Sequence, residues 1–393
     1  MEIDRIFKWA KIKGVDIVGT GDFTHPFWFS KIKEKLIPDS NGLLNIKDKP
    51  EIKFILTAEI SSIYSEKGLT RKIHTMVFVP TLEAAQAINE RLTGIGNLYS
   101  DGRPILGLSA HDLAKIILDI EPSALIIPAH AWTPWFSVFG SNSGFDSLKE
   151  CFKDLTENIY AIETGLSSDP EMNWRLSALD NISLISNSDA HSPSNLAREA
   201  NVFDFGKLSY DEIYDTIKNK DRKKFLYTIE FYPEEGKYHF DGHRNCNVSF
   251  DPFKKRFKND ICPVCGKKLT VGVMHRIDEL ADREPGYSPE NNIGSKHLIP
   301  LPEIIADAEG VSKGTQAVER QYNSMISYFG NELKILQEIE LKDLAAHSTP
   351  KISEGIGRMR EGKIKIEAGY DGIYGKVNVF DKENSEPNQE SLF

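Results

Sequence analysis

Short apolar segments with the character of strands alternate with helix-like segments over residues 1–222, and no other sequence feature constrains the fold as strongly. The strand-like segments are residues 15–22, 53–60, 72–80, 123–130, 158–165 and 182–191. Between them, residues 81–92 and 110–120 carry apolar side chains at the spacing of helices that pack on a sheet. This alternation predicts an α/β fold with a parallel sheet, either open or closed into a barrel.

Most of these strands carry a titratable side chain at or near one end. The residues are Asp22, Glu59, His74, His130, Asp189 and His191. Each of them alone is explained more simply by a turn, a helix cap or a hydrogen bond in the core. As a set, they would meet where the carboxyl ends of the strands converge on one face. Gathered carboxylates repel one another without cations, and mixed nitrogen and oxygen ligands suit Zn, Mn or Fe, so the set predicts a metal site.

The residues around the last strand and after His130 are candidates for contact with a substrate. Asp189 and His191 are two positions apart, and an extended chain would point both to the same side. Asn187 should face that side too, where its amide could read a base edge or cap a turn. Trp132 and Trp135 follow His130 and could stack on a base or pack their loop against the sheet.

The composition limits the class of protein. A chain of 393 residues has room for two or three domains. No apolar run approaches the ~20 residues of a membrane helix, and the charged N-terminal segment is not a secretory signal. We therefore expect a cytoplasmic protein without a membrane partner. The net charge of −10 argues against a general nucleic-acid coat but leaves room for a local basic groove.

Residues 223–290 are irregular and contain two short Cys and His motifs, HRNC and CPVC. They supply two pairs of possible ligands, His243 with Cys246 and Cys262 with Cys265. Two such pairs joined by a loop match a structural zinc knuckle or ribbon, so this segment predicts a zinc-binding module. His239 is an alternative fourth ligand, and a redox Cys-x-x-Cys is the alternative chemistry. Cys151 lies apart in an apolar segment, where we expect a buried thiol.

Two basic segments are candidates for contact with DNA phosphates. They contain Lys254, Lys255 and Arg256 between the ligand pairs, and Arg358 and Arg360 near the end of the chain's last helical stretch. The first segment could hold a phosphate or form a solvated face. The second segment has glycines between what we expect to be short helices, which resembles a hairpin grip on the DNA backbone. Residues 291–366 are therefore expected to form a helical DNA-binding region.

Several motifs resemble known families when they are taken together. GTGD, TAE, IHTMVF, PAH and SDAH, in this order, resemble the polymerase-and-histidinol-phosphatase (PHP) metallophosphoesterase domain. Over nearly the whole chain, PAHAWTPWFSVFGSNSGFDSL, HRNC, CPVCG, HRIDELADR and GYDGIYGKV resemble endonuclease Q. The resemblance implies a distorted (β/α)7 PHP-type barrel over residues 1–222, followed by the zinc-binding module and the helical DNA-binding region.

The resemblance also assigns the metal ligands of the barrel. Six positions match ligands of a cluster of divalent metals (Zn, Mn or Mg) and would be the catalytic residues: Asp22, Glu59, His74, His130, Asp189 and His191. PHP domains open with a strand that carries a His-x-His pair, which is not found in this sequence. The resemblance therefore implies that the first barrel strand and two ligands are missing. We favour a start upstream of Met1 over a truncated, catalytically impaired DNA-binding homologue, because the remaining ligands stand intact.

The activity that the resemblance implies is DNA repair. Endonuclease Q hydrolyses the phosphodiester on the 5′ side of uracil, hypoxanthine, xanthine and abasic sites, so we expect damaged double- or single-stranded DNA as the partner. The alternative is a PHP phosphatase that acts on a small ester such as histidinol phosphate and needs neither zinc module nor basic segments. Segment 367–393 ends with Gln389, Leu392 and Phe393, which resemble the peptide that docks repair proteins on a sliding clamp.

Overall fold

The computed structural model describes residues 2–100, 103–254 and 260–380. The α-helices of these residues are α1 (Ile3–Lys13), α2 (Pro26–Lys35), α3 (Leu82–Thr93), α4 (Ala110–Ile120), α5 (Leu148–Phe152), α6 (Pro170–Asn173), α7 (Tyr210–Lys218), α8 (Val273–Leu280), α9 (Leu301–Glu309), α10 (Gln316–Phe329), α11 (Glu332–Gln337), α12 (Leu341–His347) and α13 (Pro350–Arg360). Within the described ranges, none of them is long and apolar enough to span a membrane.

The strands make this a mixed α/β protein. They are β1 (Ile17–Gly19), β2 (Leu36–Pro38), β3 (Leu44–Ile46), β4 (Lys49–Glu66), β5 (Leu69–Val79), β6 (Ile105–Leu106), β7 (Leu125–Pro128), β8 (Ala161–Glu163), β9 (Ser183–Ile185), β10 (Ala200–Phe203), β11 (Phe225–Glu230), β12 (Asp241–His243), β13 (Val248–Phe250), β14 (Gly294–His297), β15 (Lys365–Glu367) and β16 (Lys376–Asn378). The helices predicted at 81–92 and 110–120 are confirmed as α3 and α4.

A long antiparallel hairpin, β4–β5, forms the centre of a seven-stranded sheet. Its turn is made by Lys67 and Gly68, whose φ angles of +50° and +78° are those of a two-residue type I′ turn. Strand β7 pairs antiparallel with β5, whereas β1 and β6 pair parallel with β4. The expectation of a parallel sheet is therefore wrong for the central strands. Residues 65–70 at the tip of the hairpin are mostly polar and exposed, so this part of the two strands has no apolar pattern from which the hairpin could be predicted.

The strand predicted at 182–191 is shorter than expected. It corresponds to β9, which pairs parallel with β8 and ends at Ile185. Asp189 has a φ of +40° and lies in the loop that follows. The argument that an extended chain points Asp189 and His191 to the same side is therefore wrong, because this part of the chain is not extended.

Apolar side chains form two main cores. One lies between the seven-stranded sheet and helices that include α1, α3 and α4, and the other gathers the apolar faces of α9, α10, α11 and α13. The sheet β10–β11–β14 lies between them, since Ile229 of β11 belongs to the second core and Phe225 packs beside strands of the first part of the chain. β10 lies before residue 222, β11 lies between residues 223 and 290, and β14 lies after residue 290. Strands from three of the predicted segments therefore pair in one sheet.

A buried ion pair joins the N-terminal helix to the second core. Lys13 Nζ at the end of α1 lies 2.5 Å from Glu332 Oε2 in α11, and both side chains are buried. Glu332 also accepts hydrogen bonds from the hydroxyl of Tyr322 (2.6 Å) and the backbone N–H of Leu301 (3.1 Å). Because the carboxylate is shielded from water, its charge is stabilised only by such partners.

Replacement of Lys13 by Met should destabilise the protein strongly, because it leaves the buried charge of Glu332 without its counter-ion. Loss of one partner of a buried pair costs about 3–5 kcal/mol, which should appear as a lower urea midpoint followed by circular dichroism. Lys11→Met is the matched control, since Lys11 lies on the same helix and its contact with Glu51 is exposed. Equal midpoints for the two variants would contradict the importance of the pair.

Candidate metal centre

Strand register brings Glu59 and His74 together. On antiparallel β4 and β5, Glu59 lies opposite Met76 and Ser61 lies opposite His74, so all four side chains point to one face of the sheet. Glu59 and His74 are diagonal neighbours on this face, and Glu59 Oε1 lies 2.9 Å from His74 Nδ1. Both residues stand inside long strands and not near strand ends, where the sequence analysis expected them.

His130 completes a group of three donor atoms. It follows β7, the neighbour of β5, and its Nε2 lies 3.3 Å from Glu59 Oε1 and 3.0 Å from His74 Nδ1. Donor atoms bound at about 2.0–2.1 Å to one tetrahedral or octahedral cation are about 2.9–3.4 Å apart, so these separations fit a divalent cation. A carboxylate and two imidazoles also form a donor set that such a cation binds. These three residues could therefore hold a metal ion.

Three of the predicted ligands have a left-handed backbone. The φ angle is +41° at Asp22, +31° at His130 and +40° at Asp189. Residues other than glycine rarely adopt this region, and such strain concentrates at functional sites. At His130 the neighbouring Gly165 allows the close approach, because a Cβ on Gly165 would lie 2.8 Å from the Cβ of His130. The fold thus tolerates local strain to direct these side chains.

Glu163 supports His130, and the sequence analysis did not identify it. It ends β8, is buried, and accepts the backbone N–H of His130 at Oε2 (2.8 Å) and Nδ2 of Asn187 at Oε1 (3.1 Å). Asn187 in turn accepts Nδ2 of Asn201 (3.2 Å), so its amide is bonded within the protein. Burial raises the pKa of Glu163 to about 7. A signal for Glu163 was present, since it is a titratable residue at the end of a predicted strand.

Arg103 lies among the acidic side chains of the centre and was also missed. Its Nε lies 2.5 Å from Glu59 Oε2, and its Nη2 lies 3.3 Å from Asp189 Oδ1. Arg103 stands just before β6, which pairs with β4 beside Glu59. It therefore connects Asp189 to the donor group and places a positive charge between two carboxylates. No sequence motif marks this arginine.

The electrostatics of the centre favour an ionised Glu59. Burial opposes this ionisation, but contacts with His130, His74 and Arg103 outweigh it and hold the pKa of Glu59 well below its usual range. Burial lowers the pKa of His74, whereas at His130 the contact with Glu59 outweighs burial and raises the pKa. Burial and the charge of Glu59 raise the pKa of Asp22. An ionised Glu59 and a neutral His74 are the forms that bind a cation.

The other predicted ligands lie around the donor group and not within it. Asp22 is close enough for its pKa to respond to the charges of Glu59 and Arg103, and Asp189 contacts Arg103. The side chain of His191 is 75% exposed, and its Nδ1 lies 3.1 Å from the carbonyl oxygen of Asp189. Of the six residues predicted to bind metal, the structure therefore brings three into direct contact with one another.

The two tryptophans after His130 have different surroundings. Trp132 is 1% exposed, and its indole N–H donates to Asn173 Oδ1 at 2.7 Å. It packs the loop against the core, which is the second of the two roles that the sequence left open for this residue. Trp135 is 39% exposed, and its ring meets that of Tyr238 edge-on at 5.4 Å. Trp135 is therefore the tryptophan of this loop that a ligand can reach.

A second group of possible metal ligands lies in the irregular segment. Its members are His243, Cys246, Cys262 and Cys265, whose donor atoms all lie within 4.8 Å of one another. The alternative ligand, His239, is buried and stands outside this group. Burial opposes ionisation of Cys262, but hydrogen bonds from the backbone N–H groups of Cys265 and Val264 outweigh it and lower the pKa to about 7. Cys151 is a buried free thiol, as the sequence predicts.

The predicted DNA-contacting cations differ in how far they are free to bind phosphate. Lys254 is exposed and lies beside Asp251, and Arg358 pairs with Glu354 one turn earlier on α13. Arg360 donates to two carbonyl oxygens of α11 at 2.8 and 2.9 Å. These bonds use two of the five N–H donors of the guanidinium inside the protein, and the contact of Arg360 with DNA stays a prediction.

The expected position of the glycines between short helices is wrong. Helix α13 runs without a break from Pro350 to Arg360, and Gly355 and Gly357 are buried inside it. A Cβ at Gly355 would lie 2.9 Å from Ile304 Cγ2, so this glycine serves close helix packing and does not present an amide to phosphate. Five other predicted contact residues lie outside the described part of the chain: Lys255, Arg256, Gln389, Leu392 and Phe393.

Two solved structures match this fold over nearly its whole length. The lesion-specific endonuclease PfuEndoQ from Pyrococcus furiosus is 30% identical with a TM-score of 0.84, and the match covers 100% of this chain and 95% of that one. Endonuclease Q in complex with a 27-mer duplex substrate, with an abasic lesion at its active site, is 31% identical with the same TM-score over 99% and 95% of the chains. This chain belongs to the endonuclease Q family.

Sequence relatives of this endonuclease Q family member include two proteins described only as uncharacterized. YqxK from Bacillus subtilis is 29% identical over 384 residues, which are 96% of this chain and 92% of YqxK. MJ0043 from Methanocaldococcus jannaschii is 32% identical over 259 residues, which are 63% of this chain and 31% of MJ0043. The chain thus spans about a third of the length of that relative. The family model of the MJ0043 C-terminal domain matches residues 300–363, which contain α9–α13.

A row of buried titratable side chains crosses the sheet β10–β11–β14 of this endonuclease Q fold. Glu230 ends β11 and lies opposite His297 of β14. Glu199 directly precedes β10, and because Ala200 of β10 lies opposite Ile229 of β11, Glu199 lies next to Glu230. Both glutamates are buried, and Glu230 Oε2 accepts the hydroxyl of Thr164 at 3.1 Å. Burial raises the pKa of Glu230 to about 8, and burial with the charge of Glu230 raises the pKa of Glu199.

Glu230→Gln should flatten the dependence of stability on pH. Folded Glu230 keeps its proton up to about pH 8, whereas an unfolded glutamate loses it near pH 4.5. The native state therefore binds more protons between these values, and stability falls as the pH rises through this window. The midpoint of thermal unfolding should fall less steeply for Glu230→Gln than for the wild type. Glu34→Gln, on the exposed face of α2, should keep the wild-type slope, and the same slope in both variants would contradict the assignment.

Arg103→Gln should lower the stability of the metal-free protein and strengthen its binding of Mn²⁺. The change removes the positive charge between Glu59 and Asp189, so the carboxylates repel one another more strongly until a cation binds. After treatment with EDTA, thermal unfolding should shift to a lower temperature, and calorimetric titration should give an affinity several-fold higher. Arg103→Lys keeps the charge and should resemble the wild type. Weaker Mn²⁺ binding by Arg103→Gln would disprove competition between Arg103 and the cation.

Proposed function

We propose that this chain is a metal-dependent endonuclease of DNA repair. The observation that carries the proposal is the group of Glu59, His74 and His130, whose donor atoms are 2.9–3.3 Å apart, in a fold that matches two endonuclease Q structures. One of those proteins is described as lesion-specific, and the other is bound to a duplex with an abasic lesion. The proposed substrates are DNA strands with uracil, hypoxanthine, xanthine or an abasic site, cut on the 5′ side of the lesion.

The proposed catalytic unit is a distorted PHP-type barrel within residues 1–222. The seven-stranded sheet and the β8–β9 pair support this proposal, because residues from both contribute to one centre. Asp22, Asp189 and His191 surround the donor group and are proposed as further ligands. The proposed ions are Zn, Mn or Mg, which accept mixed oxygen and nitrogen donors to different degrees.

The proposed reaction divides the work between the cation and the protein. A divalent cation at this centre supplies Lewis acidity, which lowers the pKa of a water molecule and neutralises charge on a phosphodiester. Glu163 fixes the backbone of His130 and thereby the direction of its ring. Arg103 offers its guanidinium to a phosphate oxygen. His191, exposed beside Asp189, has two alternative roles in this proposal: as a neutral imidazole it is a further ligand, and as an imidazolium it gives a proton to the leaving oxygen.

The remaining segments are proposed to hold the DNA. In this proposal, residues 223–290 form a module around one structural zinc, since three thiols and an imidazole suit that ion. Residues 291–366 form a helical DNA-binding region, and Lys254 and Arg358 are the described candidates for phosphate contact. Contacts of this kind make binding weaken steeply with salt. The clamp-binding peptide of segment 367–393 stays a prediction from the sequence.

A nicking assay tests the proposed function. Four labelled duplexes that differ only at one position, with a normal base, uracil, hypoxanthine or an abasic site, are incubated with the full chain and Mn²⁺ or Mg²⁺. Cleavage should occur on the 5′ side of the lesion and not in the normal duplex. Glu59→Gln keeps the shape of the side chain but removes its charge, so the rate should fall by on the order of 100-fold or more. Glu34→Gln makes the same chemical change on the surface and should leave the rate unchanged.

Two results would contradict the proposal. Release of phosphate from histidinol phosphate without any nicking would favour a phosphatase that acts on small esters. Tight binding of lesion DNA without nicking under any metal condition would favour a DNA-binding homologue with impaired catalysis.

A further inference from the structure

We propose that Trp135, Lys237, Tyr238 and Tyr374 form a binding site for unpaired nucleotides beside the metal centre. We call these four residues the aromatic track. The inference rests on the proposed function, because it assigns to the same enzyme the surface that holds the opened DNA strand. The residues come from the loop after β7, the segment before β12 and the turn between β15 and β16.

The four side chains form one connected series. The ring of Trp135 meets the ring of Tyr238 at 5.4 Å and an angle of 69°. Lys237 Nζ lies 5.6 Å from the ring centre of Tyr238 and 5.8 Å from that of Tyr374. Trp135 is 39% and Tyr374 is 69% exposed, and Lys237 is exposed between them. Three rings and one positive charge therefore lie next to one another along a surface that a ligand can reach.

One end of the aromatic track adjoins the metal centre. Trp135 precedes Phe136, whose ring lies 4.7 Å from the ring of His74. The carbonyl oxygen of Phe136 accepts the backbone N–H of His74 at 3.0 Å. The hydroxyl of Thr133 donates to the carbonyl oxygen of Trp135 at 2.9 Å and holds this loop in place. A nucleotide on Trp135 would therefore lie beside the residues that are proposed to cut the strand.

The other end is a turn whose backbone is tightly fixed. Gly375 has no space for a side chain, because a Cβ there would lie 2.5 Å from the carbonyl oxygen of Glu367. The backbone N–H of Gly369 donates to the carbonyl oxygen of Glu234 at 2.8 Å, and that of Gly372 donates to the carbonyl oxygen of Lys237 at 2.8 Å. The exposed ring of Tyr374 is thus held in a well-supported turn, where it continues the series that Lys237 and Tyr238 form.

The chemistry of the aromatic track favours nucleotides over other ligands. Every base has an aromatic face, so rings that stack on bases bind a strand without regard to its sequence. A lysine between the rings can contact the phosphates that link those bases, and its charge also attracts aromatic faces. An enzyme that acts on a lesion in a duplex separates the strands locally, which leaves bases that need new stacking partners.

Binding of a lesion duplex to single variants of the full chain tests the inference. The probe is a duplex with one abasic site, a non-hydrolysable linkage on the 5′ side of that site, and 2-aminopurine as the next base, whose fluorescence falls when that base stacks. No strand is then cut, and the protein keeps its metal ions during the measurement. Tyr374→Ala and Trp135→Ala should each weaken binding roughly tenfold and reduce the fluorescence change. Tyr374→Phe keeps the ring and should bind like the wild type. Phe27→Ala is the matched control, because Phe27 on α2 is 67% exposed and lies outside both the aromatic track and the segments proposed to hold DNA.

The outcomes separate this inference from the proposed function. If the wild type neither binds nor nicks lesion DNA, the proposed function fails and the inference with it. If the wild type nicks lesion DNA while Tyr374→Ala and Trp135→Ala bind like it, only the inference is overturned. Equal losses in Tyr374→Phe and Tyr374→Ala, or in Phe27→Ala and Tyr374→Ala, would also overturn it, since neither result depends on the rings of the aromatic track. Weaker binding by Tyr374→Ala and Trp135→Ala, with wild-type binding by Tyr374→Phe and by the matched control, supports the inference.

Discussion

The register between β4 and β5 is the constraint on which the metal centre depends. Side chains alternate along a strand, so a slip of one residue would send Glu59 and His74 to opposite faces of the sheet. The tight turn at Lys67 and Gly68 fixes this register, and the pairing of β7 with β5 then brings His130 to the same group. The centre is therefore the product of three neighbouring antiparallel strands in the order β4–β5–β7, and a cation held there would link all three.

Around these three strands, a few residues combine unfavourable backbone conformations with buried charge. The left-handed backbone at Asp22, His130 and Asp189 is unfavourable by itself, as is the burial of Glu59. Arg103 compensates part of the negative charge that these side chains bring together. These terms lower the stability of the protein without a ligand, and a cation would offset the part that comes from the gathered negative charge. Side chains that are held in position before the ligand binds are typical of a preorganised metal site.

The sequence predicted what depends on local periodicity and residue type, and less of what depends on register. Helices α3 and α4 follow from apolar spacing, and three of six proposed ligands meet although the parallel-sheet argument for them was wrong. Arg103 could not be predicted, because its role arises from the pairing of β6 with β4 and leaves no local pattern. Likewise, two tryptophans in one aperiodic loop look alike in sequence, and only tertiary packing distinguishes the buried Trp132 from the exposed Trp135.

Hydrogen bonds connect the aromatic track to the group of His243, Cys246, Cys262 and Cys265. A metal ion bound by that group would therefore have a role in the proposed function. Asp371 accepts the backbone N–H of Arg244 at 2.6 Å, and the hydroxyl of Tyr370 donates to Asn247 at 2.8 Å, so the turn that carries Tyr374 is attached to the segment around the ligands His243 and Cys246. A metal ion that closes this ligand group stabilises the segment, because such small modules gain much of their folding free energy from the ion. It would thereby fix the position of Tyr374. Under the proposed function, the two ligand groups would then have separate tasks, one in cutting the strand and the other in holding the surface on which the opened strand lies.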